Sequence, residues 1–291
     1  MMDETIGKAI ATLREAGVDT PEHDVKLLLA EAAGCELSDV DKAMLMGDPI
    51  DYDAERFGAM VARRAKREPL QHITGHVPFR YLDLEVGPGV FIPRQETELV
   101  VQEGVDWITR NGMYSVRAVD LCAGSGAIGL SLVSEVPGSE VWAVEKSEAA
   151  AQWTRRNIDT ISGKYPNIAD RYHLEIADAT QAPTLSYLDG TIDMVLTNPP
   201  YVPCSNAPQQ PEVRDYDPDM ALYGGSEDGT LIPERIIVRA AGLLRPGGLL
   251  VMEHDITQGE RLVEFAGAHG LRDARVCNDW SGRPRYMVAI R

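Results

Sequence analysis

Between Val116 and Ile290, short apolar runs alternate with stretches of helical period, and this alternation constrains the fold more than any other feature. Strands separated by helices build a mostly parallel sheet wrapped in helices, an α/β domain. The candidate strands are Val116 to Leu121, Glu140 to Glu145, Tyr172 to Ile176, Ile192 to Thr197, Gly248 to Glu253, Ala274 to Asn278 and Arg285 to Ile290. The last two lie close together in sequence, so they are expected to pair antiparallel at an edge.

The first part of the chain has a different rhythm. From Asp3 to about Lys66 apolar residues recur at intervals of three and four, as in Ile6, Ile10 and Leu13 and again in Val25, Leu28 and Leu29, which predicts a small helical bundle. Thr20 before Pro21 reads as the N-cap and first-turn pair of the second helix. The segment "GHVPFRYLDLEVGPGVF" alternates apolar and polar residues, contains Gly-Pro-Gly and predicts a hairpin. The expected organisation is a helical domain over residues 1–74, a hairpin linker over 75–91 and the sheet domain over 92–291. Val202 to Gly229 is long, rich in Pro, Gly and Asp, and without a clear period, as functional loops in compact domains often are.

Composition narrows the partners. A chain of 291 residues that is 44% hydrophobic and 25% charged has material for a sizeable core in one large domain or two unequal ones. Its formal net charge of -17 repels a phosphate backbone and favours a protein partner or a cationic cofactor. The four cysteines, Cys35, Cys122, Cys204 and Cys277, form no CxxC pair and read as reduced thiols. His72 and His76 in "HITGH" have metal-like spacing, but they sit in a predicted turn without a third ligand, and no metal is assigned. An acidic, amphipathic start without a cleavage site, and no membrane-length apolar run, predict a cytoplasmic location and no membrane contact.

"VDLCAGSGAIGL", Val119 to Leu130, sets a glycine-rich turn between a strand and a helix. Glycines let the backbone approach a ligand, and the helix behind them offers free N–H groups and a positive dipole end. Gly124, Gly126 and Gly129 satisfy GxGxxG, and Glu145 follows about 20 residues on, at the next strand's end, where a carboxylate binds ribose hydroxyls. Nicotinamide enzymes and methyltransferases share this fingerprint, and a tight structural turn also accounts for the glycines. Asp178, in "EIADAT", ends the third strand, placed either to accept from an adenine amino group or to form a turn. The glycines, Glu145 and Asp178 then fall along one sheet edge, where open α/β sheets bind ligands.

The fourth strand runs into "NPPY", Asn198 to Tyr201. Two adjacent prolines remove two donors and fix φ, so the chain leaves the sheet in one stiff, extended shape. An amide or arylamine nitrogen is a poor nucleophile because its lone pair is delocalised. To attack a methyl group, its two N–H bonds must point at fixed acceptors so that the lone pair faces the electrophile. The Asn198 side-chain oxygen and the Pro199 carbonyl are suited to that task, stabilising positive charge that develops on nitrogen. Tyr201 is placed to pack on a planar target. A hydride-transferring enzyme has no use for this segment.

With these motifs assembled, the sequence resembles the class I methyltransferases that modify planar nitrogens, and more closely the release-factor glutamine N5-methyltransferases. Besides "NPPY", the likeness rests on "REPLQHITGHVPF" from Arg67, "FIPRQETELV" from Phe91, "DPDMALYGGSEDG" from Asp217 and "LLRPGGLLVMEHDITQ" from Leu243, and it spans nearly the whole chain. The resemblance implies a seven-stranded Rossmann-like methyltransferase sheet behind a helical N-terminal domain. It implies S-adenosylmethionine as cofactor, leaving as S-adenosylhomocysteine, surrounded by Cys122, Ala123, Gly124, Ser125, Gly126, Glu145, Asp178, Ala179 and Asn198. It further implies that Asn198, Pro199, Pro200 and Tyr201 grip the substrate, with Asn198, Pro199 and Tyr201 catalytic. That substrate would be the glutamine of the Gly-Gly-Gln motif in class I peptide chain release factors, which ties the activity to translation termination. A monomer without nucleic-acid binding is expected, its helical domain and the Val202 to Gly229 loop recognising the partner.

The chain departs from the family pattern in three places. Cys122-Ala123-Gly124 stands where Gly-Thr-Gly is usual, Glu145 replaces the commoner Asp, and His254 occupies a position where Gly is usual. Arg94, Glu96 and Glu98 fit either a helix start or a site. Arg63, Arg64, Lys66 and Arg67 read most simply as a solvated helix end, with contact to an acidic protein or RNA as the alternative. Cys122 has no base in sight and is not expected to be a nucleophile. The rival activities are an adenine-N6 methyltransferase of DNA or RNA, which must handle a flipped base and a polyanion, a glutamine methyltransferase of a ribosomal protein, and a nicotinamide-dependent dehydrogenase, which leaves NPPY idle.

Overall fold

A computed structural model describes residues 2–291, which pack as two compact units. One comprises the residues up to His76 together with Pro208–Tyr216, and the other Val77–Ala207 together with Asp217–Arg291.

The first unit holds helices α1 (Met2–Glu15), α2 (Pro21–Ala33), α3 (Leu37–Met46), α4 (Ala54–Arg64) and the short α5 (Leu70–Thr74). Their apolar stripes meet around Leu13, Val25, Leu28, Leu29, Val40 and Phe57, all buried. Thr20 precedes Pro21 at the start of α2 as predicted, but its hydroxyl donates to the Asp24 carboxylate at 2.9 Å instead of capping a backbone N–H. Asp53 does cap α4, accepting from Arg56 N at 2.9 Å. The solvated reading of the basic run is overturned at Arg64, which is only 7% exposed. Its Nε donates to Asp24 Oδ2 at 2.7 Å, and its Nη1 donates to the Glu68 carbonyl at 3.0 Å and to Glu212 Oε1 at 2.8 Å. Arg67 holds both oxygens of Glu212 at 2.7 Å, so the segment Pro208–Tyr216 is clasped to this unit by two arginines. Burial opposes the Glu212 charge, but Arg67 and Arg64 hold its carboxyl down at about 2.

The second unit begins with the hairpin of β1 (His76–Phe79) and β2 (Leu82–Glu85). Its turn falls at Arg80-Tyr81 and not at Gly-Pro-Gly. Arg80 takes φ +53°, and its side chain forks onto the Glu135 carboxylate at 2.6 and 2.7 Å. Gly-Pro-Gly instead runs beneath Trp153: a Cβ on Gly87 would lie 2.4 Å from that ring, and the indole donates to the Pro88 carbonyl.

The main sheet contains β3 (Arg117–Leu121), β4 (Glu140–Glu145), β5 (Tyr172–Ile176), β6 (Ile192–Thr197), β7 (Leu244–Glu253), β8 (Arg272–Asn278) and β9 (Pro284–Ile290), in the order β5-β4-β3-β6-β7-β9-β8. The first five are parallel; β9 runs antiparallel to β7 and to the edge strand β8. In the sheet's centre successive residues bury on opposite faces, Met194 and Leu196 with one core and Val195 with the other, so the central strands read as largely apolar runs. From β3 the chain winds outward through β4 to β5, then returns to β6 on the other side of β3. That reversal opens a crevice beyond Leu121 and Thr197, which are paired neighbours. The two segments with the strongest chemical signals, the glycine turn and NPPY, leave the sheet side by side there.

Beneath the crevice, Asp120 is buried, with Oδ2 accepting from Gly129 N at 2.9 Å. Burial pushes its carboxyl from an ordinary 3.8 up to about 8. The folded state therefore keeps a proton that the unfolded chain releases as pH rises from about 4, and Asp120's contribution, complete in acid, is lost as pH climbs through about 8. Asp120→Asn keeps the acceptor and removes the titration. It is expected to match wild type at or below about pH 4 and to exceed it at pH 9 by about 2–4 °C or more in Tm, the shift ~1 kcal/mol gives a domain of this size. Parallel Tm–pH curves would contradict this. Among the described residues no helix is long and apolar enough to cross a membrane.

Candidate active site

A cavity of about 350 Å³ occupies the crevice, room for a nucleoside-sized ligand. On the β3–β4 side it is lined by Cys122, Ala123, Gly124, Ser125 and Glu145, and beyond β5 by Asp178 and Ala179. Asn198, Pro199, Pro200 and Tyr201 close it from the end of β6. Gly126 alone among the predicted residues does not line the cavity. It sits at φ +87°, and a Cβ there would lie 2.9–3.1 Å from Leu130, Thr154 and Tyr172, so the glycine is required by the fold of the turn.

The turn between β3 and α7 (Ala127–Glu135), the helix that follows α6 (Glu98–Arg110), is fixed from several sides. Glu145 Oε2 accepts from Gly124 N at 2.8 Å while Oε1 accepts from Ser147 N at 2.7 Å, at the start of α8 (Glu148–Ser162). Each oxygen keeps a further lone pair for a ligand. From α8, Thr154 donates to the Gly124 carbonyl at 2.6 Å and Asn157 to the Ser125 carbonyl at 3.0 Å. Neither residue stood out in the sequence, being ordinary polar positions on a helix. Cys122 takes φ +65°, a backbone conformation that favours glycine, and burial pushes its thiol up, toward the SH form. Asp178 Oδ1 accepts from Thr180 N and Oγ1, and Oδ2 from Lys146 at 3.0 Å. Burial opposes that charge, but these donors hold the Asp178 carboxyl down at about 2, so it forms a turn and borders the cavity at once.

Past β6 a second network appears. Asn198 Nδ2 donates to Thr97 Oγ1 at 3.1 Å, Thr97 donates to Glu253 Oε2 at 2.7 Å, and the Tyr201 hydroxyl donates to Glu253 Oε1 at 2.8 Å. Thr97 and Glu253 are buried. Burial pushes the Glu253 carboxyl up, against the two hydroxyls and Arg285. Gln258 donates from Nε2 to the carbonyls of Tyr201 and Asp228, each at 2.8 Å, and accepts from Asp255 N at 3.0 Å. His254 is fully buried beside them. Its Nδ1 meets the Asp255 carbonyl at 2.7 Å and burial pushes its pKa down, so the imidazole is a neutral part of an ordered turn.

The stretch Asp217–Gly229 folds back on NPPY: Val202 N donates to the Leu222 carbonyl and Gly224 N to the Val202 carbonyl. A Cβ at Gly224 would lie 1.9 Å from the Gly229 carbonyl oxygen, so only glycine permits this closure. Arg94 ties it down through Asp217 Oδ2 at 2.7 Å, with its guanidinium 5.0 Å from the Phe91 ring centre. Arg94 does not line the cavity but holds the loop beside it, while Glu98 starts a helix, as the helix-start reading has it, and accepts from Arg80 N in the hairpin turn. His76 starts β1 with Nε2 3.7 Å from Glu31, and among the described residues no group of three or more His, Cys, Asp and Glu is arranged to hold a metal.

A seven-stranded sheet ending in β7-β9-β8, a glycine turn backed by an acid on the next strand and an Asn-Pro-Pro-Tyr exit from β6 define a class I methyltransferase. Residues 4–75 match the family model described as PrmC N-terminal domain, and residues 82–209 the one described as Conserved hypothetical protein 95. A release factor glutamine methyltransferase of Bifidobacterium longum is 66% identical over 292 residues, covering 100% of this chain and 99% of that one. Its namesake from Streptomyces coelicolor is 43% identical, covering 98% and 96%. A 4-amino-L-phenylalanine/4-methylamino-L-phenylalanine methyltransferase of Streptomyces pristinaespiralis is 35% identical, covering 86% and 82%. The chain belongs to the release factor glutamine methyltransferase family.

Proposed function

We infer that this protein transfers a methyl group from S-adenosylmethionine to N5, the side-chain amide nitrogen, of the glutamine in the Gly-Gly-Gln motif of peptide chain release factors, and so acts on translation termination. The observation that carries this reading is the orientation of Asn198. With Nδ2 committed to Thr97, its Oδ1 is left as the acceptor at the cavity. A primary amide needs such an acceptor for one N–H, and the neighbouring Pro199 carbonyl serves the other.

The residues present fit the cofactor. Ser125 Oγ is buried at the cavity wall without a hydrogen-bond partner, and a Cβ on Gly124 would meet only open space, so the wall has a cradle for a ligand. Cys122 to Ser125 would hold the methionyl end, Glu145 the ribose and Asp178 with Ala179 the adenine side. When bound, S-adenosylmethionine supplies an electrophilic methyl on a sulfonium. Asn198 and Pro199 then hold the amide with its lone pair toward that methyl, and Tyr201 bounds the planar group. The amide sheds its surplus proton during or after transfer, so a strong base is not required. The helical unit and the Val202 to Gly229 loop recognise the release factor; the protein acts as a monomer in the cytoplasm, without nucleic acid.

The relative acting on 4-amino-L-phenylalanine supports a second reading, since an arylamine is also a planar nitrogen. Labelled methyl transfer assayed in parallel on intact release factor, 4-amino-L-phenylalanine, adenine-containing DNA and ribosomal protein separates them. Release factor is expected to take the label; label confined to any of the others overturns the assignment.

A further inference from the structure

We propose that Thr97 and Glu253 are positioning residues that set which face of the Asn198 amide meets the substrate. This deepens the glutamine methyltransferase reading and rests on it. An asparagine side chain can turn over at almost no cost in shape, exchanging its acceptor for its donor. At this site the exchange is ruinous: a donor facing the substrate's N–H groups repels the nitrogen it must hold. Some part of the protein has to forbid it.

The chain of hydrogen bonds does so by polarity. Glu253 is 2% exposed at the end of β7, and as a carboxylate it can only accept. One oxygen takes the Tyr201 hydroxyl at 2.8 Å and the other takes Thr97 at 2.7 Å. Thr97, 3% exposed, has one proton, and with that proton given to Glu253 its oxygen has only lone pairs left. It therefore accepts Asn198 Nδ2 at 3.1 Å and rejects Oδ1. The carboxylate thus dictates the direction of every bond up to the cavity. Burial, with Glu96, pushes this carboxyl up against the two hydroxyls and Arg285; the direction of the relay rests on the geometry, in which both oxygens accept from hydroxyls and neither donates. The same carboxylate also fixes the Tyr201 hydroxyl, so one buried group aligns both side chains that NPPY offers.

Thr97→Val keeps the shape and deletes the acceptor, whereas Thr97→Ser keeps it. With release factor as substrate, Thr97→Val is expected to lower kcat about 10-fold, the range a lost hydrogen bond commands, with the S-adenosylmethionine Kd little changed. Thr97→Ser should restore most of kcat. A readout that needs no substrate accompanies this: in wild type one Asn198 Nδ2 proton, identified by its loss in Asn198→Ala, should exchange slowly with solvent, and in Thr97→Val both should exchange fast. Wild-type kcat in a folded Thr97→Val overturns the proposal. So do two fast-exchanging Asn198 protons in wild type, a result that stands even if Thr97→Val fails to fold. A slow proton in a protein that leaves release factor unmethylated keeps the relay and rejects the glutamine reading.

Discussion

Asn198→Ala is expected to leave S-adenosylmethionine binding largely intact and to lower methyl transfer by ~100-fold or more, the effect of losing one donor or acceptor aimed at charge developing in a transition state. The two effects separate because the cofactor wall is built mainly elsewhere. The Cys122 to Gly126 turn is held by hydrogen bonds to Glu145, Thr154 and Asn157, whereas Asn198 is bonded to Thr97. What the variant loses is the acceptor for the substrate's N–H, the interaction that lets the amide lone pair face the methyl. Calorimetric titration with the cofactor and a single-turnover rate on release factor measure the two halves. Near-normal turnover would remove Asn198 from the chemistry.

Arg64→Ala is expected to destabilise the helical unit by about 3–5 kcal/mol, the cost of breaking a buried ion pair from one side. Asp24, 4% exposed, would lose its guanidinium partner, and Glu212 would be left to Arg67 alone. Arg64 meets three acceptors at once: the Asp24 carboxylate, the Glu68 carbonyl and the Glu212 carboxylate. Lysine has a single ammonium and cannot span them, so Arg64→Lys should recover only part of the loss. Because Glu212 lies in the stretch that leaves NPPY and returns as the glycine-closed loop, the variant is also expected to loosen Pro208–Tyr216 and expose it to proteolysis. Urea unfolding and limited proteolysis test both; an unchanged midpoint would mean that Arg64 is solvated, as its place in a basic run suggests.

That last contrast shows where the sequence was legible and where it was not. The strands Glu140 to Glu145 and Ile192 to Thr197 were readable to the residue because runs buried on both faces leave a largely apolar signature, and the half-exposed edge strand Tyr172 to Ile176 because its apolar and polar residues alternate. The edge pairing of β8 with β9 followed from their closeness in sequence. β7 begins at Leu244, before the predicted Gly248, because its pairing with β6 shifts register across Arg-Pro-Gly-Gly and carries the strand through residues that read as a break. The hairpin was visible, but the position of its turn was not. Gly-Pro-Gly is the stronger local signal, yet Arg80 takes the positive φ because Glu135, 55 residues away, holds its side chain.

The site divides in the same way. NPPY, the glycine turn and Glu145 announce themselves through local chemistry, as stiff prolines, open backbone and an acid at a strand end. Thr97 and Glu253 do not, because each means something only through the other, 156 residues apart in sequence, and through Asn198. Thr97 lies inside "FIPRQETELV", where the charged neighbours drew attention, and Glu253 ends a strand whose next residue, His254, was the evident oddity. Arg64 and Arg67 share that fate, since their partner Glu212 lies 148 and 145 residues away. Long-range polar pairing leaves no periodic trace, and it is what builds the second half of this site.

The most direct test of the central claim is fragment mass analysis of release factor after incubation with the purified protein and S-adenosylmethionine. The expected result is a gain of one methyl on the side chain of the Gly-Gly-Gln glutamine and on no other residue. An unmodified glutamine, in a sample where S-adenosylmethionine is bound tightly, would contradict it.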